Sequence, residues 1–497
     1  MRRTTPLIYL SAALTALLLL PSARADESSS RSSRPNIVLM MSDDQGWNGT
    51  SVAMHPTQSF SKTDTIRTPH LETLASQGMR FSQAYAPAPV CAPTRIALQT
   101  GRSAAAVHWT KAGHSLPASA GYKLVGPDLK RSLATDETTI GETLKKAGYT
   151  TAHFGKWHIQ GGGPKAHGYD VSDGNLGNEH AAKFTDPNPV DIFGMAERAR
   201  AFMAKAKEAK KPFYVQLSWH ALHAPDGALE ATKKEVAERL GGSPTERRVT
   251  RTALAQDLDT GVGRVLEALD ELGLAKSTYV IYTSDNGAGG GSRARGARRR
   301  RGGRQRESGL GGGKGSLGEG GIRVPFIIRG PGIAAGSWHH TPITGLDFHP
   351  TFAHWAGARD LPKTIEGGNF APLLTGAKDA QVERARPGLT FHFPHYQNDA
   401  TPQSAIRLGA LKLVRTYEDG KEVLYDLDAD PQETTDLASK RPDDAKALAT
   451  RLDDWLQAVQ AQLPTKNAHY DPDNPPEAPR RGGRGSKGGR KGRRHDR

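Results

Sequence analysis

The sequence predicts an α/β fold built on a largely parallel sheet. Three observations lead there. Short, continuously apolar runs at 36–41, 213–219 and 278–283 read as strands buried in a sheet. These runs alternate with helical patterns, the longest over 247–272, as parallel sheets with crossover helices require. No internal repeat is present, and 497 residues are enough for one large domain and a smaller one.

Taken in order, the chain opens as a secretory signal over 1–25. Arg2 and Arg3 precede a mostly apolar stretch, 7–20, that is short for a membrane span. Pro21 breaks it, and Ala23-Arg24-Ala25 suits cleavage, so export to the periplasm or exterior is expected. The Ser/Arg-rich segment 28–34 reads as a flexible leader. The 36–41 strand comes next. Thr68 and Pro69 mark a helix start, Leu71, Leu74 and Ala75 share one face, and Gly78 ends it. Residues 138–147 read as a helix stopped by Gly148, and 149–156 as a strand. The 213–219 strand, the 247–272 helix and the 278–283 strand follow, then a strand at 324–328. The composition shifts near Gly376, so a main domain over 35–376 is expected. A subdomain over 389–463 has short strands at 410–414 and 423–425 and a helix at 442–462. Residues 465–497 are rich in Pro, Gly, Arg and Lys and read as a disordered basic tail.

Charge is concentrated. Eight arginines lie between Arg293 and Arg306 beside Glu307, and nine Lys/Arg between Arg480 and Arg497 beside Asp496. Together they account for the whole formal excess of +15. A nucleic-acid-coating protein spreads basic charge over a folded face, so no nucleic-acid partner is expected. Runs of like charge read as solvated segments; a sharper reading has them attract a polyanionic polymer.

Two acidic pairs stand at strand ends. Asp43-Asp44 follows the first strand, and Asp285-Asn286 follows the 278–283 strand. In open α/β sheets ligands gather at such carboxyl ends. Three carboxylates and an amide oxygen form an all-oxygen shell suited to Ca²⁺, or to Mg²⁺, and not to Zn²⁺. Either pair alone would read as a polar turn. Cys91 is the only cysteine, so it forms no internal disulfide. A helix over 94–100, with Pro93 in its first turn, puts Cys91 at a helix N-terminus, where negative charge is favoured. Arg95 sits one turn in. Lys156 and His158 lie two apart on an extended segment and project to one side.

Cys91-Ala92-Pro93-Thr94-Arg95, followed by Leu98, Thr100, Gly101 and Arg102, resembles the signature of the type I, formylglycine-dependent sulfatases. These are arylsulfatase-like members of the alkaline phosphatase superfamily. Gly155-Lys156-Trp157-His158, His223-Ala224-Pro225 and the block from Lys314 through Glu319-Gly320-Gly321 to Arg323-Val324-Pro325 fit the same family. The resemblance runs from about Pro35 to Leu463. It implies an alkaline-phosphatase-like three-layer α/β/α sandwich with a smaller C-terminal antiparallel sheet. It also implies hydrolysis of sulfate esters of carbohydrates or aryl alcohols. Cys91 would be oxidised by a formylglycine-generating enzyme or equivalent maturase to 3-oxoalanine (formylglycine), whose hydrate attacks sulfur. A plain serine ester could not easily expel sulfate afterwards; a gem-diol can. Asp43, Asp44, Asp285, Asn286 and residue 91 would bind the cation. Lys156 and Lys314 would contact sulfate, His158 would take a proton from the hydrate, and His223 would bond the leaving oxygen. Arg95 would hold the hydrate or its loop, and His220 would support the site. His392, Pro394, His395 and Arg407 lie where such enzymes fold back over the site, with His395 as a substrate contact. The alternatives are a phosphodiesterase or phosphonate monoester hydrolase using the same groups, and an inactive polyanion-binding relative. The substrate, the sulfate position, exo or endo action and the oligomeric state are not encoded in any motif.

Overall fold

The computed structural model describes Met1 and residues 34–115, 119–289, 309–376, 380–398 and 400–474. Residues 2–33, which hold the expected signal and most of the expected leader, the arginine-rich segment 293–306 and the tail beyond 474 lie outside the described residues. The described residues from Pro35 onward form one compact unit.

An eight-stranded sheet runs through it. The order is Ser337–His339, Met79–Phe81, Phe326–Arg329, Thr278–Ser284, Asn36–Ser42, Phe213–Ser218, Thr150–Gly155, Val171–Ser172. Asn36–Ser42 is central and parallel to both neighbours, with Val38 opposite Val215 on one side and Val280 on the other. Thr150–Gly155 and Val171–Ser172 extend the parallel part. Phe326–Arg329 runs antiparallel to the Thr278–Ser284 strand.

The pleat sends alternate residues of each central strand to opposite faces. Val38, Met40, Val215, Leu217 and Val280 pack on one face, where helices Pro69–Gln77, Ile192–Glu208 and Glu246–Glu271 lie. Ile37, Leu39, Met41, Tyr214 and Ile281 pack on the other, against helices Cys91–Thr100, Ile140–Lys146 and Phe348–Ala356. Both faces are covered, so the central strands are apolar throughout. This is the three-layer sandwich that the resemblance implies.

A separate antiparallel sheet is formed by Leu389–Phe393, Gln403–Leu408, Leu411–Thr416 and Glu422–Asp426. One face carries helix Pro442–Ala458 through Ile406, Leu413, Leu424, Leu448, Leu452 and Trp455. The other packs Leu389, Phe391 and Phe393 onto Tyr85, Val90, Leu317 and Ile322. The smaller sheet is thereby seated beside the residues that flank Cys91 and Lys314.

One expectation is corrected. Disorder does not begin at 465: Thr465–Lys466 pairs with Leu124–Val125. Asn467 is buried and donates through Nδ2 to Ser119 O and Tyr122 O. These backbone partners lie far away in sequence, so composition alone reads the segment as a free tail.

Candidate functional site

The four central parallel strands deliver their carboxyl ends to one place. Asp43 and Asp44 leave Asn36–Ser42, Asp285 and Asn286 leave Thr278–Ser284, Lys156 leaves Thr150–Gly155, and Trp219 to His223 leave Phe213–Ser218. Backbone bonds tie these turns together: Asp43 N to Ala221 O (2.7 Å), Leu222 N to Asp43 O (2.6 Å), Lys156 N to Ser218 O (2.8 Å) and Asp285 N to Ser42 O (3.1 Å).

Cys91 is the first residue of its helix, which is fully buried and ends at Gly101 in a left-handed cap (φ 67°). Its Sγ lies 3.3 Å from Asp43 Oδ1 and 3.9 Å from Asp44 Oδ1. Lys314 Nζ approaches it to 3.2 Å and donates to Asp44 Oδ1 at 2.5 Å. Lys156 Nζ donates to Asp43 Oδ2. Arg95 donates through Nη2 to Asp285 Oδ2 (2.7 Å) and through Nη1 to Lys156 O (2.6 Å), so it clamps two strand ends at once.

Ligand atoms of Asp43, Asp44, Cys91 and Asp285 all lie within 4.8 Å of one another, close enough to hold one metal ion. Asn286 donates through Nδ2 to Asp44 Oδ1 (2.8 Å), while its buried Oδ1 has no hydrogen-bond partner among the described residues. A buried carbonyl oxygen left unpaired is costly. An unspent amide oxygen beside three carboxylates fits a hard, oxygen-preferring cation.

The electrostatics are tightly opposed. Burial alone would raise Asp43, but Lys156, Arg95 and Lys314 hold its carboxyl well below the usual range. Asp285 is pushed up, first by burial and then by Asp43. Burial, with Asp285 and Asp43 adding, pushes the Cys91 thiol up, away from thiolate chemistry. Burial would lower Lys314, but the carboxylates of Asp44, Asp43 and Asp285 outweigh it and keep the ammonium charged. His158 is pushed down to about 3, by burial and then by Lys156 and Arg95, so its imidazole is neutral. Its Nδ1 is buried without a partner among the described residues.

A family model described as Sulfatase matches residues 35–358 of this chain. The chain belongs to the sulfatase family. Its members hydrolyse sulfuric esters, and so does this enzyme. A second model, N-sulphoglucosamine sulphohydrolase, C-terminal, matches residues 314–462 of the sulfatase. It is 29% identical to arylsulfatase A of Homo sapiens over 86% of this chain and 88% of that protein. It is 29% identical to N-acetylgalactosamine-6-sulfatase of Rattus norvegicus over 68% and 66%. Among solved structures it is similar to Ps i-CgsB in complex with k-i-k-neocarrahexaose. That match has a TM-score of 0.66 and 24% identity, covering 85% of this chain and 93% of that one. The shared fold is alkaline-phosphatase-like.

The outer residues of the sulfatase's site divide. His223 is partly exposed and near enough for its charge to act on Asp43 and His158. Its Nδ1 bonds Ala224 O at 2.6 Å, which leaves Nε2 as the free nitrogen. His220 is buried beside Asn178 Oδ1 (3.4 Å). His395 is not brought to Cys91 by any contact among the described residues: it is buried with Nε2 2.8 Å from Thr110 Oγ1. Arg407 bonds Tyr85 and Gln83 and stands in a structural network. Sequence reasoning passed over Asn398, Gln403, Lys412 and Glu433, whose side chains hold the Lys314 loop from the smaller sheet. Asn398 Nδ2 donates to Lys314 O (2.9 Å), and Gln403 Oε1 accepts from Leu317 N (3.0 Å). No local motif marks them, because their partners lie far away along the chain.

Proposed function

We propose that this sulfatase is exported and hydrolyses sulfate esters of carbohydrates, using a formylglycine made from Cys91 and a bound Ca²⁺, with Mg²⁺ as the alternative cation. The observation that carries this reading is the placement of Cys91 Sγ. It is buried at a helix N-terminus between the Asp43 carboxylate (3.3 Å) and the Lys314 ammonium (3.2 Å).

Asp43, Asp44, Asp285 and Asn286, with residue 91, would hold the cation, which supplies electrostatic stabilisation for developing negative charge. Formylglycine supplies a hydrate with one hydroxyl to attack sulfur and a second to help expel sulfate later. Lys156 and Lys314 bind the terminal sulfate oxygens and lower the cost of charge build-up as the S–O bond breaks. Neutral His158 takes up the proton released at position 91. His223 bonds Ala224 O through Nδ1, which leaves Nε2 to face the leaving oxygen. Arg95 holds Asp285 and the Lys156 carbonyl in register and touches no reacting atom.

A carbohydrate substrate is favoured by two relatives, the N-acetylgalactosamine-6-sulfatase and the neocarrahexaose-bound Ps i-CgsB. Export is favoured by the signal-like residues 1–25. No helix among the described residues is long and apolar enough to cross a membrane. A maturase is the implied partner. The test is mass spectrometry of the Cys91 peptide from the native host, paired with turnover of matched sulfate and phosphate esters and of a sulfated oligosaccharide. An aldehyde at position 91 and preference for sulfate are expected. A peptide found only as the thiol, in active enzyme, would sink this mechanism.

A further inference from the structure

Lys314 reaches the site from a glycine-rich loop with a few internal bonds, among them Ser316 N to Gly313 O (2.9 Å) and Gly320 N to Gly311 O (2.6 Å). Gly309, Gly312 and Gly315 all have positive φ, and among the described residues no regular element forms between Gly309 and the short helix Glu319–Ile322. Freezing so flexible a backbone is entropically costly, so the position of Lys314 depends on external ties. Two come from the main domain: Gly315 N to Pro89 O (2.9 Å) and Lys314 N to Ala288 O (3.2 Å). The smaller subdomain adds Asn398 Nδ2 to Lys314 O (2.9 Å) and Leu317 N to Gln403 Oε1 (3.0 Å), and it holds the end of the loop, at Glu319, through one buried charge.

Lys412, on the Leu411–Thr416 strand, is fully buried. Its Nζ lies 2.8 Å from Glu319 Oε1 and 2.8 Å from Glu433 Oε1. Glu433 Oε2 in turn accepts from Glu319 N at 2.7 Å, at the first residue of the short helix. Helix and loop are then bonded to both halves of the site. Gly287 N, next to Asn286, donates to Gly321 O (3.0 Å), and Ala86 N donates to Ile322 O (2.8 Å). Arg323 and Tyr85 also contact Glu319, with Arg323 Nε and Tyr85 OH each 2.7 Å from Oε2. Glu319 therefore keeps ion-pair partners without Lys412, while Glu433 has no other ion pair among the described residues. Removal of the ammonium leaves two buried carboxylates side by side. Their repulsion would pull Glu433 off the Glu319 amide and release the start of the helix.

We propose that Lys412 is a positioning residue for Lys314: a buried ammonium of the smaller sheet that fixes the Lys314 loop against Cys91 through Glu433 and Glu319. This rests on the reading of Lys314 as a sulfate-binding group. A displacement of the order of 1 Å at such a group costs about 100-fold in rate, so the effect belongs mainly in kcat.

The test is a double-mutant cycle on the full chain with matured Cys91, using p-nitrophenyl sulfate. Lys412→Met is expected to lower kcat about 30-fold with KM changed less than about threefold. In the Lys314→Ala background the same substitution should change kcat/KM by less than about twofold, because the residue it positions is gone. Lys412→Arg, which keeps the charge between the two carboxylates, should restore most of kcat. If Lys412→Met does not fold, Lys412→Gln carries the same cycle. A folded variant with wild-type kcat, or the same loss with and without Lys314, overturns the proposal. Wild-type enzyme bearing the aldehyde yet turning over no sulfate ester would instead overturn the proposed function.

Discussion

Asn286 is fully buried, yet its Oδ1 bonds to nothing among the described residues. Such an atom destabilises a fold unless a cation takes it up. Chelator-treated protein is therefore expected to melt at a lower temperature, and Ca²⁺ should restore it more fully than Mg²⁺. The gain is about 2.7 kcal/mol at a hundredfold excess over Kd. Asn286→Ala should abolish the cation-dependent part of the shift. Equal melting curves with and without Ca²⁺ would remove the cation from this site. At His158 the expectation is kinetic. Its imidazole is neutral, since burial and two neighbouring cations push it down to about 3. His158→Ala should lose about 10²- to 10⁴-fold in kcat, and single-turnover traces should place the loss after sulfate transfer. An unchanged second phase would assign the proton to another group.

Elements show how local and distant capping differ. Thr139 closes a capping box on Ile140–Lys146: Glu142 N donates to its Oγ1 at 3.3 Å, and its own N–H donates to Glu142 Oε2 at 2.8 Å. Its Oγ1 also donates to His167 O. Thr139→Ala should cost about 1–2 kcal/mol, read as a lower denaturant midpoint at unchanged slope. The helix itself was read from the sequence over 138–147, but its capping box was not, although the Thr-x-x-Glu spacing is local. Helix Pro69–Gln77 begins where Thr68 and Pro69 signal, but Thr68 caps nothing; its Oγ1 accepts from Ser51 N instead. Asp259, on helix Glu246–Glu271, accepts from His70 N (3.0 Å) and Leu71 N (2.9 Å). Asp259→Ala is expected to destabilise the enzyme more than Thr68→Ala, by thermal melts of both. The start of this helix was readable locally, while its cap arrives from a residue about 190 positions away.

At the scale of the whole molecule, the network around Glu319 joins the smaller sheet to the main domain. Burial would raise Glu319, but Lys412, Arg323 and Arg407 hold it at about 2, below its ordinary 4.5. A depressed carboxyl stabilises fully above its unfolded value and loses that contribution as pH falls through the folded one. Melting temperature should therefore decline between about pH 4.5 and pH 2, and Glu319→Gln should flatten the decline. An identical pH profile in the variant would place the acid sensitivity elsewhere. The parallel sheet, the strand ends bearing Asp43, Asp44, Asp285 and Asn286, and the helix behind Cys91 were all readable from sequence. Each is local: an apolar run, the turn after it, a proline in a first turn. The antiparallel direction of Phe326–Arg329 and the docking of Thr465–Lys466 on Leu124–Val125 were not readable, since pairing partners are chosen by the folded chain. The same division holds at the site. The sequence by itself carried the proposed chemistry, because the cysteine, acids, lysines and histidines sit in short contiguous motifs. Only the tertiary structure decided what holds them in place. Asn398, Gln403, Lys412 and Glu433 act across long stretches of chain, and such contacts leave no local pattern in a sequence.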